Sequence, residues 1–300
     1  MRLTMDSKNL KPFFIALLAS LFMLGCEGGE ELKDTVDEIE IEDSGTNIVE
    51  LGGVVFCIPS PVQTAILVKD VGAAYDGSLL NSPDNRNSYS TNFLKALNLG
   101  IYGADLGYST IYEQPQDGIR YLKTIRNLAD DIGVASAFGP EIMKRINQNI
   151  GDQDSLLSMV GACYRSLNSF LQENDRSDVC ALVLTGTWVE STYFVTKISG
   201  VFESQELTNR IAEQKGTLEN LIKLIEPYYN DPQFTELLDD LYDISDVFDH
   251  VQVSYEYVKP SVDEAKKLTT INSFSKVTIS EDQIQLISDK IANLRDLITG

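Results

Sequence analysis

The chain has 300 residues, with 24 Lys and Arg against 45 Asp and Glu, and its formal net charge of −21 argues against a nucleic-acid partner. With 43% hydrophobic residues it can bury a core, and nine prolines without a collagen-like period exclude a fibre. No motif in it defines a reaction.

Arg2, Lys8 and Lys11 precede an apolar run from Phe13 to Leu24. Such a run has the length of a signal-peptide core and is too short to span a bilayer comfortably. It closes on Leu21-Phe22-Met23-Leu24-Gly25-Cys26, which resembles the lipobox of bacterial lipoproteins, the small Gly25 giving the signal peptidase access to the backbone before Cys26. It departs from the family pattern at Met23-Leu24, where Leu followed by Ala or Ser is usual. The resemblance covers residues 1–26. It implies that residues 1–25 are removed and that Cys26 carries fatty acyl chains holding the protein on a membrane.

From Glu27 to Glu50, acids crowd against the single base Lys33. Like charges keep such a block extended, so residues 26–50 read as a lipidated Cys and an acidic flexible tether, reaching about 25–30 Å as a coil. Acids directly after the Cys resemble the surface-export signal of lipoproteins of the Bacteroidota. That likeness implies the outer membrane, facing either the periplasm or the cell surface; composition alone gives only a solvated spacer.

Residues 51–300 read as a single α-helical domain. A short extended stretch, Val54-Val55-Phe56-Cys57-Ile58, leads to Ser60-Pro61, an N-cap followed by Pro at the first helical position. Start signals recur at Gly139-Pro140, Asp231-Pro232, Ser261 to Glu264 and Ser280 to Gln283, the last two with capping-box spacing. Ile284, Ile287, Ile291, Leu294 and Ile298 lay one apolar stripe along the last helix. The expected fold is all-α, an antiparallel bundle or array of roughly ten helices joined by short turns. Asn98 to Gly133 has the size of one helical hairpin, with no second copy at the same period.

Two helices are apolar all round and therefore central: one containing Ala96 to Tyr112, the other Ala181 to about Ser199. In the first, Gly100, Gly103 and Gly107 share a narrow face, which demands a close neighbour: another helix backbone, or alternatively a ligand. Each helix also carries one acid, Asp105 and Glu190. If both faced one cavity, burial would raise their pKa values and suit general acid work, as in hydrolases acting on glycans with paired carboxylates. The plainer expectation is that each pairs with a base such as Arg120, Arg165 or Lys197.

Between Phe234 and Val251, the acids Glu236, Asp239, Asp243 and Asp246 and the imidazole of His250 fall within an arc of about 80° on a helix. Asp243, Asp246 and His250 have spacing suited to a divalent cation. The opposite face, Leu237, Leu238, Leu241, Ile244, Phe248 and Val251, makes the same stripe the wet side of an amphipathic helix. Tyr228 and Tyr229, before Asn230-Asp231-Pro232, offer paired rings at a turn as a binding feature. Of Cys57, Cys163 and Cys180 at most one disulfide can form, and an axial offset of about 10 Å disfavours Cys163 with Cys180. No zinc, haem, phosphate-loop or nucleophile-elbow pattern is present, so no cofactor is expected.

The stretches Gly-Thr-Trp-Val-Glu and Asn-Leu-Gly-Ile-Tyr-Gly-Ala-Asp also resemble uncharacterised all-helical lipoproteins of the Bacteroidota, a likeness that brings no activity with it. The reading that results is a membrane-anchored extracytoplasmic lipoprotein with a binding or scaffolding role at the cell envelope, its partner a protein, peptide or glycan. A hydrolase using Asp105 and Glu190 and a divalent-cation binder are the alternatives.

Overall fold

The computed structural model describes residues 46–51, 54–59, 61–137, 144, 166–167, 169–171, 173–174, 176–263, 268–271 and 273–300, all within the contact unit Asp43–Gly300. Cys26, most of the tether, Ser60, the Gly139-Pro140 start signal and Cys163 lie outside the described residues. Strand β1 (Thr46–Leu51) reaches into the end of the segment read as a tether and pairs antiparallel with β2 (Val54–Pro59).

Seven α-helices follow among the described residues: α1 (Pro61–Asp70), α2 (Asn92–Ile111), α3 (Pro115–Asp131), α4 (Ser177–Ser199), α5 (Gln205–Ile225), α6 (Pro232–Phe248) and α7 (Glu281–Thr299). The chain is mostly α, as its periodicity requires. Side chains start these helices by occupying orphan backbone donors. Thr91 accepts from the Leu94 N–H, Ser204 from Glu206 and Leu207, and Asp231 from Gln233 beside Pro232. Ser280 and Gln283 form the complete reciprocal box expected of them. Gly72 and Gly133, both at positive φ, follow α1 and α3.

The two helices that are apolar all round occupy the centre. Helix α4 contacts α1, α2, α5 and α7, and α2 contacts α1, α3, α4 and α7. Helix α4 is long and apolar enough to cross a membrane, yet 94% of its apolar window is buried within the fold, which makes it a core helix. Around this pair, α7 buries Ile287, Ile291, Leu294 and Ile298, each worth about 1.5–3 kcal/mol. Helix α6 buries its whole apolar face from Leu237 to Phe248, leaving the acids outward. Helices α2 and α3 form the hairpin anticipated between Asn98 and Gly133.

One stretch departs from the helical expectation. The capping-box spacing at Ser261 does not start a helix; Ser261–Asp263 is strand β4, paired with β5 (Leu268–Thr270), and β3 (Gln252–Glu256) pairs with β6 (Phe274–Thr278). Val262 on one strand and Thr269, Thr270 and Ile271 on the other favour a pleated ladder, and no apolar helical period follows the cap signal. The outcome is two short ribbons, most of whose described side chains are exposed.

Candidate functional site

The backbones of α2 and α4 touch where glycine removes the side chain. A Cβ on Gly100 would lie 2.0 Å from the Val183 carbonyl oxygen, and one on Gly186 would lie 1.9 Å from that of Leu97. Gly107 instead lies against α1, a Cβ there standing 3.3 Å from Val62 Cγ2, and Gly103 is half-buried. Helix packing therefore accounts for Gly100 and Gly107, with no ligand needed.

That close approach brings Asp105 of α2 and Glu190 of α4 together, as the acid-pair reading anticipated, but in the core. Both residues are 0% exposed. Glu190 is held by a residue of α7: Arg295 donates from Nε to Oε2 at 2.6 Å and from Nη2 to Oε1 at 2.8 Å, a bidentate pair. Arg295 also donates to the Leu79 carbonyl at 2.9 Å and lies 4.3 Å from the Tyr193 ring centroid. Burial opposes its charge, but Glu190 beside it outweighs that and raises the guanidinium pKa.

Asp105 has no such partner. Neither carboxyl oxygen has a hydrogen-bond partner of ordinary geometry among the described residues. Burial, and then the Glu190 carboxylate beside it, push the Asp105 carboxyl well above the usual range, with Arg295 and the Asn81 backbone opposing weakly. Asp105 is therefore the acid that keeps its proton, with Glu190 as the acceptor in reach. The triad then sums to zero: neutral Asp105, Glu190 at −1 and Arg295 at +1.

Buried polar groups extend outward from this centre. Asn98 donates to the Ile298 carbonyl at 2.8 Å and accepts from Asn81 at 3.1 Å. Asn81 also donates to the Tyr89 hydroxyl at 2.9 Å, Tyr89 and Tyr102 share a hydrogen bond at 3.0 Å, and Tyr102 donates to the Ser82 carbonyl at 2.8 Å. Burial raises the phenol pKa values of Tyr89, Tyr102 and Tyr121, so they stay neutral. These bonds fasten the segment between α1 and α2, which lacks a long helix of its own, to α2 and the end of α7.

The remaining candidate residues do not converge. Asp243 pairs with Lys290 of α7, His250 is exposed with its carbonyl accepting from Gln283, and Asp246 is on the half-exposed flank of α6. Burial, then the neighbouring Asp243, Asp239 and Glu236, raise the Asp240 pKa, the mark of crowded acids. Among the described residues no group of three His, Cys, Asp or Glu side chains is placed to hold a metal. Tyr228 packs on Phe234 with ring centroids 5.1 Å apart, whereas Tyr229 is exposed. Cys180 is buried, and burial pushes its thiol up to about 12.

Arg295 and Asn98 are absent from the sequence reading. Both carry a readable signal: Arg295 falls four residues after Ile291 and three before Ile298, inside the apolar stripe of α7, and Asn98 interrupts the all-apolar α2. No protein-family model, no curated protein and no solved structure matches the chain.

Proposed function

We propose that the chain is an extracytoplasmic lipoprotein. Residues 1–25 are its export signal, Cys26 is its acylated N-terminus, and an acidic spacer carries a helical body that binds or scaffolds at the cell envelope. The observation that carries this reading is the order of basic residues, apolar run and Gly25-Cys26 at the start of the chain. The outer membrane is the proposed site, with the body on its periplasmic or outward face.

A binding role is favoured over hydrolysis by the closure of the acid pair. A general acid must touch a substrate, and neither Asp105 nor Glu190 has exposed surface. The pair has a structural task instead, joining α2 and α4 to α7. The ribbons, by contrast, expose Val253, Tyr255, Tyr257, Val262 and Ile271, apolar area the body leaves uncovered.

The test is metabolic labelling with radioactive palmitate in a bacterial host, followed by membrane fractionation. The chain is expected to take up label and sediment with membranes. Cys26→Ala is expected to lose the label and leave the membrane fraction. A Cys26→Ala chain that is still labelled and membrane-bound overturns the proposal.

A further inference from the structure

In a chain of net charge −21, a place where positive groups outnumber negative ones is exceptional. One exists between the 3₁₀ segment Pro83–Ser88 and α3, which enclose a cleft of about 250 Å³. Helix α3 lines it with Arg120, Lys123, Thr124 and Asn127, whose spacing of i, i+3, i+4 and i+7 places them on one face. The 3₁₀ segment contributes Arg86 and Asn87, with Asp84 as the only acid in the lining. Three cations against one carboxylate leave the walls at +2.

Internal partners do not use up these donors. Arg86 donates from Nη2 to Asp131 at 3.0 Å, while its Nε is buried without a partner. Arg120 reaches Asp117 only at 3.5 Å, and Asp117 already accepts the Tyr75 hydroxyl at 2.7 Å. Lys123 makes no ion pair, and the amides of Asn87 and Asn127 make no hydrogen bond, among the described residues. Thr124 is the exception, its hydroxyl being spent on the Arg120 carbonyl at 3.0 Å. The cleft thus offers an excess of cationic and amide donors in a space smaller than drug-sized sites, which run to about 300–1,000 Å³.

We propose that this cleft binds a small oxyanion, a carboxylate or a phosphate group. Arg120 supplies a planar fork matched to two oxygens of one anion, and Lys123 adds a second charge. Asn87 and Asn127 hydrogen-bond the groups flanking the anion, and Asp84 accepts from any hydroxyl it carries. The site is distinct from the buried acid pair and does not depend on acylation of Cys26. Because Arg120 is half-exposed, the attraction is screened by salt.

The test is calorimetric titration of the full chain at low ionic strength with glucuronate as the carboxylate source, inorganic phosphate as the phosphate source, and glucose as the neutral control. At least one anion is expected to saturate a single site, and which one does so identifies the source. Glucose is expected to give no saturable heat. Arg120→Ala with Lys123→Ala is expected to weaken binding at least about tenfold with helicity by circular dichroism unchanged, both side chains being exposed. The proposal is overturned if neither anion saturates by about 10 mM. Equal binding by the double variant, or by glucose, also overturns it.

Discussion

Gly100 and Gly186 are reciprocal: each lies against the other helix's backbone, so neither position of the α2–α4 crossing has room for a methyl group. Thr187, next to Gly186, donates to the Val183 carbonyl at 2.9 Å and toward that of Gly100 at 3.3 Å, which closes the crossing with a hydroxyl rather than a bulky side chain. Only at this spacing do Asp105 and Glu190 share one buried space.

Alanine at either glycine must push two backbones apart. Gly100→Ala and Gly186→Ala are each expected to cost about 3 kcal/mol or more, outweighing the roughly 1 kcal/mol that Ala gains over Gly in a helix. Gly216 of α5 is the control: it is exposed, with nothing within 4 Å of an added Cβ, so Gly216→Ala is expected to stabilise by up to about 1 kcal/mol. Urea unfolding of the three variants checks the contrast.

Asp105 predicts a dependence on pH. Its pKa is raised in the fold, so the folded state holds the proton more tightly than the unfolded chain. Its contribution is complete below the unfolded carboxyl value of about 4 and is lost as pH rises to and through the raised value. Asp105→Asn keeps a donor beside Glu190 and cannot ionise. Wild-type stability is expected to fall relative to that variant above about pH 4, by at most about 1.4 kcal/mol per pH unit, and then level off. Denaturant midpoints for the two proteins that stay parallel across pH would remove the argument.

The ribbons predict the opposite of a core. Val253 is 54% exposed, Tyr255 67% and Tyr257 69%, so replacing all three by Ser is expected to change stability by no more than about 1 kcal/mol. Val277, facing Val253 on β6, packs against the core, and Val277→Ser is expected to cost more than any one of the three. Binding of a hydrophobic dye should drop in the triple variant while its unfolding midpoint holds.

Much of this was legible in the sequence because it is local. Caps at Asp231 and Ser280, the stripe of α7 and the all-apolar character of α2 and α4 are set by neighbours within a few turns, and the structure keeps them. The glycine face of α2 correctly announced a close visitor. The partner of Glu190 was not legible, because Arg295 stands 105 residues further along and only tertiary packing selects it over Arg120 or Lys197. The ribbons were hidden by a cap spacing at Ser261 that serves a strand equally well. The basic cleft combines a readable face of α3 with Arg86, whose approach depends on a segment held by long-range hydrogen bonds.

The most direct test of the claim that the acid pair is a sealed structural centre is the unfolding free energy of Glu190→Gln, Arg295→Met and the double variant. Each single change strands a buried charge and is expected to cost about 3–5 kcal/mol, whereas the double variant, with neither charge left, should recover a large part of that loss. Single variants as stable as the parent, with no coupling between the two sites, would contradict the account.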